Sequence, residues 1–560
     1  MMELSTLRTY FPATEMTLYD IAIVGSGIAC SMTLCQLAER LKDMPARSKA
    51  LRIGVIEREG EMWNGIPYGR RSAVGALAFQ RLQEFLEEPE RSYYIEWLAA
   101  NAASWLKTLR ECGGPGAAKW ISDNQPLMER DKWGELYLPR FLFGQYVSCH
   151  AARAVEELSK AGLASVTLIH GEATGISRMP GRPHTIAMED NSGARFPVHA
   201  ARVVLAIGSP PQRSIHAGAV AVRHSHTHID NIYSPSEDIS IQKIQQALSS
   251  LPDRRMANIL ILGSNASALE VLYLINYRPE IRNFIKSVVV LSRGGLLPYK
   301  ICEETVRFEL TALESLLESS YFSAADLMAA ITFDIRRAEE LRLNIADLRD
   351  PVGAAVSRLT ALMHISEQKK FVCEHGVHYS RMMRRAGRDT RNAADELASV
   401  GILTTIKGEF RRLEPFPSGN GLMSAVYASA GCQAEITHPV PFSITINCGG
   451  FEELDFSSSR LINSLIDNEL CNVNSTNRGF VVNDRLEASE NVYVIGPLVA
   501  GNFNDKVRFW HVESASRIAG LAKLLAKSLS DSLFLQVNIP SDTTSLAGSI
   551  ASSVCPPYLG

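Results

Sequence analysis

The stretch IAIVGSGIAC, residues 21–30, decides how this sequence reads. Four apolar, β-prone residues run straight into a glycine turn, and a helical pattern, SMTLCQLAER, follows at once. A short apolar run of this kind is the look of a parallel strand covered on both faces. Gly25 permits the tight turn, and Gly27 lets the backbone approach a pyrophosphate. The third position needs a small residue where helix meets strand; Cys30 is small enough, although Gly or Ala is usual. The helix N-terminus offers free N–H groups and partial positive charge to phosphates, so Gly25, Ser26, Gly27, Ile28 and Ala29 form a candidate cradle. A second strand, residues 51–56, ends at Glu57, whose carboxylate can take both adenosine-ribose hydroxyls, with Arg58 beside it. The interval from Cys30 to Glu57 exceeds the usual spacing of about 20 residues, and the polar loop 43–50 accounts for the excess. The bland alternative is an ordinary tight turn with a surface glutamate.

The arrangement recurs. ANILIL runs into GSNASA, residues 263–268, and a helix begins. Asn265 stands where the middle glycine is expected and tolerates unusual backbone angles better than most residues. Gly263, Asn265, Ala266 and Ser267 are therefore a second candidate cradle. The next strand, residues 288–291, ends in Ser292-Arg293-Gly294-Gly295, with no acid where Glu57 stood. Ser292 and Arg293 suit a 2′-phosphate, which favours NADPH, with NADH the alternative. Against this stand a solvated strand-end arginine and a degenerate unit that binds nothing. Two further strands complete the pattern. RVVLAIG, residues 202–208, ends at Gly208 and leaves the sheet at Pro210-Pro211; residues 491–496 close on Gly496, Pro497 and Leu498 before a helical pattern over 511–525.

At 560 residues the chain is too long for one core. Hydrophobic residues are 46%, charged residues 21% and the net charge is −3, with no basic block that would suit nucleic acid. The first 20 residues lack a signal-peptide pattern, and no apolar run reaches the ~18 residues of a membrane span. Ten scattered cysteines include no CxxC pair, which removes the common zinc knuckle and redox dithiol and fits a reducing cytoplasm. The expected fold is α/β, with two Rossmann-like dinucleotide-binding domains and a helical insertion. The first domain takes residues 17–235 and 446–530, and the second 236–302 and 401–445. The helical insertion takes 303–400, and 531–560 form a poorly ordered tail.

These residues resemble the bacterial FAD/NAD(P)-binding oxidoreductases typified by the YdhS-like proteins, relatives of class B flavin monooxygenases. The resemblance covers about residues 18–525 and includes GSGIAC, GIPYG (65–69), YLPRFLFGQY (137–146), LAIGSPP, GSNASA, LSRGGLLP and VIGPL. It implies FAD on the first domain, NAD(P)H on the inserted second one, and a helical cap between them. It also implies cofactor contacts for Tyr68, Gly208, Gly496, Pro497 and Leu498. Relatives carry an aspartate after the late glycine, where this chain has Pro497, so only backbone contact is available there.

Hydride passing from NADPH to FAD leaves the protein to orient two rings and exclude water. Reduced flavin meeting O₂ then oxygenates a small amine, sulfur or carbon centre; the partner is a small-molecule substrate, and a homo-oligomer is compatible. No Ser/His/Asp or paired-carboxylate set is apparent, so no catalytic residue is assigned. The alternatives are a reductase or oxidase without oxygenation, and a non-catalytic FAD-bound sensor or assembly protein. His224, His226 and His228 alternate as metal ligands sometimes do, but a return segment toward the hinge explains them better, and no metal is expected. The set Gly218, His224 and Tyr233 only echoes a monooxygenase fingerprint. His375, His378, Arg381, Arg384 and Arg385 form a basic knot that reads as a solvated helix face, with a phosphate or carboxylate grip as the alternative. Trp63 and Tyr68 either flank the flavin or fill core.

Overall fold

The computed structural model describes residues 17–45, 49–215, 226–251, 257–302, 307–417, 422–429, 434–512 and 514–537. Ile21, Ile23, Ile53, Val55, Val203 and Val204 are fully buried, which is why these strands carry continuous apolar runs instead of alternating. They lie in a six-stranded sheet ordered Glu487–Ser489, Val492–Val494, Val203–Leu205, Ile21–Val24, Leu51–Glu57, Ala164–His170. Only the first pair is antiparallel. The helix Ile28–Lys42 follows the glycine turn and packs against Arg140–Lys160 and the terminal helix Ala515–Val537. That last helix runs well past residue 530, where the sequence suggested a loose tail. Leu525, Ala526, Leu529 and Leu533 are buried, and this apolar face holds it in place.

The second sheet has seven strands, ordered Glu435–Thr437, Met423–Ser429, Leu403–Pro415, Ile285–Ser292, Ala257–Leu262, Ile444–Asn447, Thr227–Ile229. Its five strands from Leu403–Pro415 to Thr227–Ile229 are parallel. Three expected boundaries shift. Thr227–Ile229 pairs with Ile444–Asn447, so the second sheet already begins inside the segment given to the first domain, and it runs on to Asn447. Arg388–Ser399, counted with the insertion, is the crossover helix of this sheet: Ala393, Ala394 and Leu397 are buried beside the helix Ala266–Asn276. Periodicity marks a helix as amphipathic without saying which body receives its apolar face.

The cap proper comprises Thr311–Leu317, Ala324–Glu340, Arg349–Leu362, Ile365–Lys370, a π-turn Phe371–His375 and Gly376–Met382. Leu327, Ile331, Ile335 and Leu359 lead a hydrophobic cluster of its own. Ser323 opens the longest of these helices with a capping box closed by Asp326. No helix among the described residues is long and apolar enough to cross a membrane.

Candidate dinucleotide sites and the contact between them

The first turn is built by exclusion. Gly25 has φ +94°, and a Cβ there would lie 2.5 Å from the Ala206 carbonyl oxygen, so only glycine fits. Its N–H donates to the Ile56 carbonyl (2.9 Å), tying the turn to the neighbouring strand. A Cβ on Gly27 would stand 3.4 Å from Gly65 Cα, so a second glycine loop lies directly on the first. Gly27 caps the helix Ile28–Lys42 with no side chain accepting from its first N–H groups. Those donors remain available to an anion. Ser26 is fully buried; its N–H (3.2 Å) and hydroxyl (2.6 Å) both donate to Glu57 Oε2. Glu57 Oε1 accepts the Glu59 N–H at 2.9 Å, so the acid stands at the strand end already oriented. Ile28 and Ala29 are buried and contribute backbone only. Arg58 is exposed and paired with Glu59 and Glu172.

The loop over this turn is a feature the residue pattern did not disclose. Trp63 is buried with φ +80°, a region bulky residues rarely enter, and its carbonyl accepts from Ser31 Oγ at 2.8 Å. Glu61 organises the rest, accepting from Asn64 Nδ2 (3.1 Å) and the Arg70 N–H (2.8 Å). Tyr68 is buried against Phe85 and Phe143, and burial pushes its phenol up to about 12. A Cβ on Gly144 would lie 2.1 Å from the Tyr68 carbonyl oxygen, which explains why the GIPYG and PRFLFG elements occur together. Gly496 (φ +89°) faces Ala29, and the turn Pro497–Val499 follows, with Leu498 wholly in the core. Gly208 (φ +78°) lies three residues past the end of Val203–Leu205, with open space beside its Cα.

The second turn repeats the first and then departs from it. Gly263 has φ +99°, a Cβ there would meet the Cys448 carbonyl oxygen at 2.1 Å, and its N–H donates to Leu291 (2.8 Å). Asn265, however, is exposed at the start of Ala266–Asn276 with no loop on it among the described residues, and again no side chain caps the helix. Ala266 follows at the first helical position, and Ser267 accepts a 3.4 Å bond from the Tyr233 hydroxyl. Ser292 Oγ accepts from the Gly295 N–H (3.0 Å), and Arg293 is exposed with no hydrogen bond or ion pair among the described residues.

The two units are joined by charge. Arg140, from the PRFLFG element of the first domain, pairs with Glu270 on the second domain's helix and donates to Ser72 Oγ at 2.7 Å. Glu270 also accepts from Tyr233 (2.7 Å), and Glu237, wholly buried, accepts the Ala73 N–H (2.7 Å). Burial, reinforced by the neighbouring Glu270 charge, holds Glu237 well above the usual carboxylate range and so favours its neutral form. Sequence reading missed Glu237 and Glu270, because buried acids on apolar helices carry no motif.

His226 and His228 meet the Phe442 carbonyl and Asp230, His224 and Gly218 lie outside the described residues, and no metal-competent cluster exists among the described residues. The Tyr233 hydroxyl donates to Glu270 and, more weakly, to Ser267. The basic knot divides: Arg385 pairs with Glu84 and Asp350, whereas Arg381 is exposed.

Comparison with known proteins follows this geometry. A family model described as FAD-NAD(P)-binding matches residues 22–210. An uncharacterized protein of Mycobacterium tuberculosis is 44% identical over 515 residues, covering 92% of this chain and 96% of its own, and a Mycobacterium bovis protein matches equally. Among solved structures, the reduced ornithine hydroxylase of Pseudomonas aeruginosa superposes with a TM-score of 0.52 at 12% identity, covering 92% of this chain and all of that one. The FAD-bound cadaverine monooxygenase of Erwinia amylovora gives 0.50 at 13%, covering 92% and 95%. At such identities these two share the fold. The chain belongs to one family with the mycobacterial proteins, and its residues 22–210 match the model described as FAD-NAD(P)-binding.

Proposed function

We propose that this protein is an FAD-dependent oxidoreductase that takes hydride from NADPH and oxygenates a small metabolite, with a primary amine the first candidate. The carrying observation is a duplicated glycine turn in two sheets bridged by Arg140 and Glu270, one turn wrapped and the other open. The wrapped turn suits a resident FAD: Gly25 has room for no side chain, the Gly65 loop packs on Gly27, and Glu57 stands at the strand end where an adenosine ribose would bind. The open turn, with Arg293 at the strand end, suits an exchangeable NADPH. Bound FAD would supply the redox chemistry, accepting the hydride and reacting with O₂. The chain's own part is to hold both sites in register. Arg140 neutralises the buried Glu270, the Tyr233 hydroxyl donates to it and helps orient it, and burial favours the neutral form of Glu237 beside that contact. The amine preference rests on the shared fold with ornithine and cadaverine hydroxylases, and a cytoplasmic setting goes with the NADPH requirement.

Oxygen uptake tests the reading. Small primary amines are expected to stimulate NADPH-dependent O₂ consumption and to yield a product carrying one atom from ¹⁸O₂. Stoichiometric peroxide and no labelled product across amine, thiol and acid panels would make the protein a reductase or oxidase instead.

A further inference from the structure

The cap contributes arginines that nothing above uses, and they lie beside the end of the second nucleotide strand. In a Rossmann unit that strand end receives the adenosine ribose. Here the following turn docks on the cap: Tyr299–Lys300 pairs in parallel with Arg385–Ala386, and the Tyr299 N–H donates to the Arg384 carbonyl (3.0 Å). Arg384 in turn donates to the Leu296 carbonyl (3.4 Å) and to the carbonyl of Arg381 (3.3 Å), so both residues flank the 293–296 turn. On the other side Lys407 stands opposite Ser292 in the ladder, and a Cβ on Gly295 would lie 2.6 Å from Lys407 Cβ. Four cationic residues thus flank one turn. Their neighbour Arg385 shows what a structural cap arginine looks like, buried and paired with Glu84 at 3.1 Å. Arg381 and Arg293 have no such partner among the described residues.

We propose that Arg381 and Arg384 of the cap complete, with Arg293 and Lys407 of the nucleotide sheet, a clamp for a ribose 2′-phosphomonoester, so that NADPH binds across two bodies of the protein. The inference rests on the second sheet being the NADPH site and deepens it: discrimination against NADH comes from the insertion as well as from the Rossmann unit. Partial desolvation, with Arg293, Arg478 and Arg384 nearby, lowers the Arg381 pKa, and among the described residues no carboxylate is seen to offset that field. A dianion would relieve the repulsion while gaining charge-assisted hydrogen bonds, for which the planar guanidinium is suited.

Calorimetric titration of the flavin-loaded full-length protein with 2′,5′-ADP and 5′-AMP isolates the clamp from turnover. The wild type is expected to prefer 2′,5′-ADP by on the order of a hundredfold. Arg381→Met, an exposed substitution, should remove on the order of tenfold of that preference and leave 5′-AMP affinity unchanged, and Arg381→Lys should restore part of it. Arg384→Met should act in the same direction, with 5′-AMP binding as its internal check on folding. Unaltered preference in both Met variants, or a wild type binding both nucleotides equally, overturns the clamp alone. A wild type that binds neither nucleotide overturns the reading of the second sheet, and the clamp with it.

Discussion

The turns at Gly25 and Gly263 are near copies, and the residues just after them are not. Both glycines hold φ above +90°, both abut a strand-end carbonyl, and both donate their N–H to the adjacent strand. Past that point the first turn gains a lid of backbone, Gly65 on Gly27, pinned through Trp63 and Glu61. The second keeps Asn265 in the open. On the proposed function the same crossover would serve two residence times: enclosure suits a prosthetic group, and openness suits a co-substrate that must leave after each turnover.

That contrast sets the largest expected effects. Gly27→Val drives a branched side chain into Gly65 and should yield colourless protein, whereas Asn265→Val should keep its flavin and lose about tenfold in NADPH affinity. A yellow Gly27→Val, read by absorbance after gel filtration, would remove the distinction. Arg140→Met comes next. It leaves Glu270 buried without its cation, an expected loss of about 3–5 kcal/mol in chemical denaturation, with slower flavin reduction in whatever protein folds. Arg293→Ala should raise KM for NADPH about tenfold and move KM for NADH less than twofold; equal shifts would argue that the open site does not read the 2′-phosphate.

The smallest effect concerns Glu237. Its folded pKa lies above the unfolded value, so the folded state holds the extra proton. Its contribution is complete below the ordinary carboxylate range and is lost as pH rises toward the raised folded value. Glu237→Gln mimics the protonated form, so above the ordinary carboxylate range Tm should fall less steeply with rising pH than in the wild type. A variant with the wild-type slope would show that Glu237 is ionised in the native protein.

Much of this architecture could be read from residues alone, because its strands are buried on both faces and its turns demand glycine. Gly25, Gly27, Glu57, Gly263 and Arg293 all stand at their expected places on strand ends and helix starts. What escaped was set by tertiary context. The helix Arg388–Ser399 looked like part of the cap because its period is indifferent to which core it meets. Thr227–Ile229 is too short to announce itself as an edge strand. Tyr233, Glu237, Glu270 and Arg140 are separated by up to 130 residues in sequence and acquire meaning only when two domains press them together. Trp63 enters a left-handed conformation that nothing local favours.

The account stands on electrons crossing from the open site to the wrapped one. Anaerobic stopped-flow mixing of the purified protein with NADPH, followed at the flavin absorbance near 450 nm, measures that crossing directly. The account predicts a yellow protein that bleaches in a single turnover, faster with NADPH than with NADH. A flavin that stays oxidised under excess NADPH, or a protein that carries none even after incubation with FAD, would contradict it.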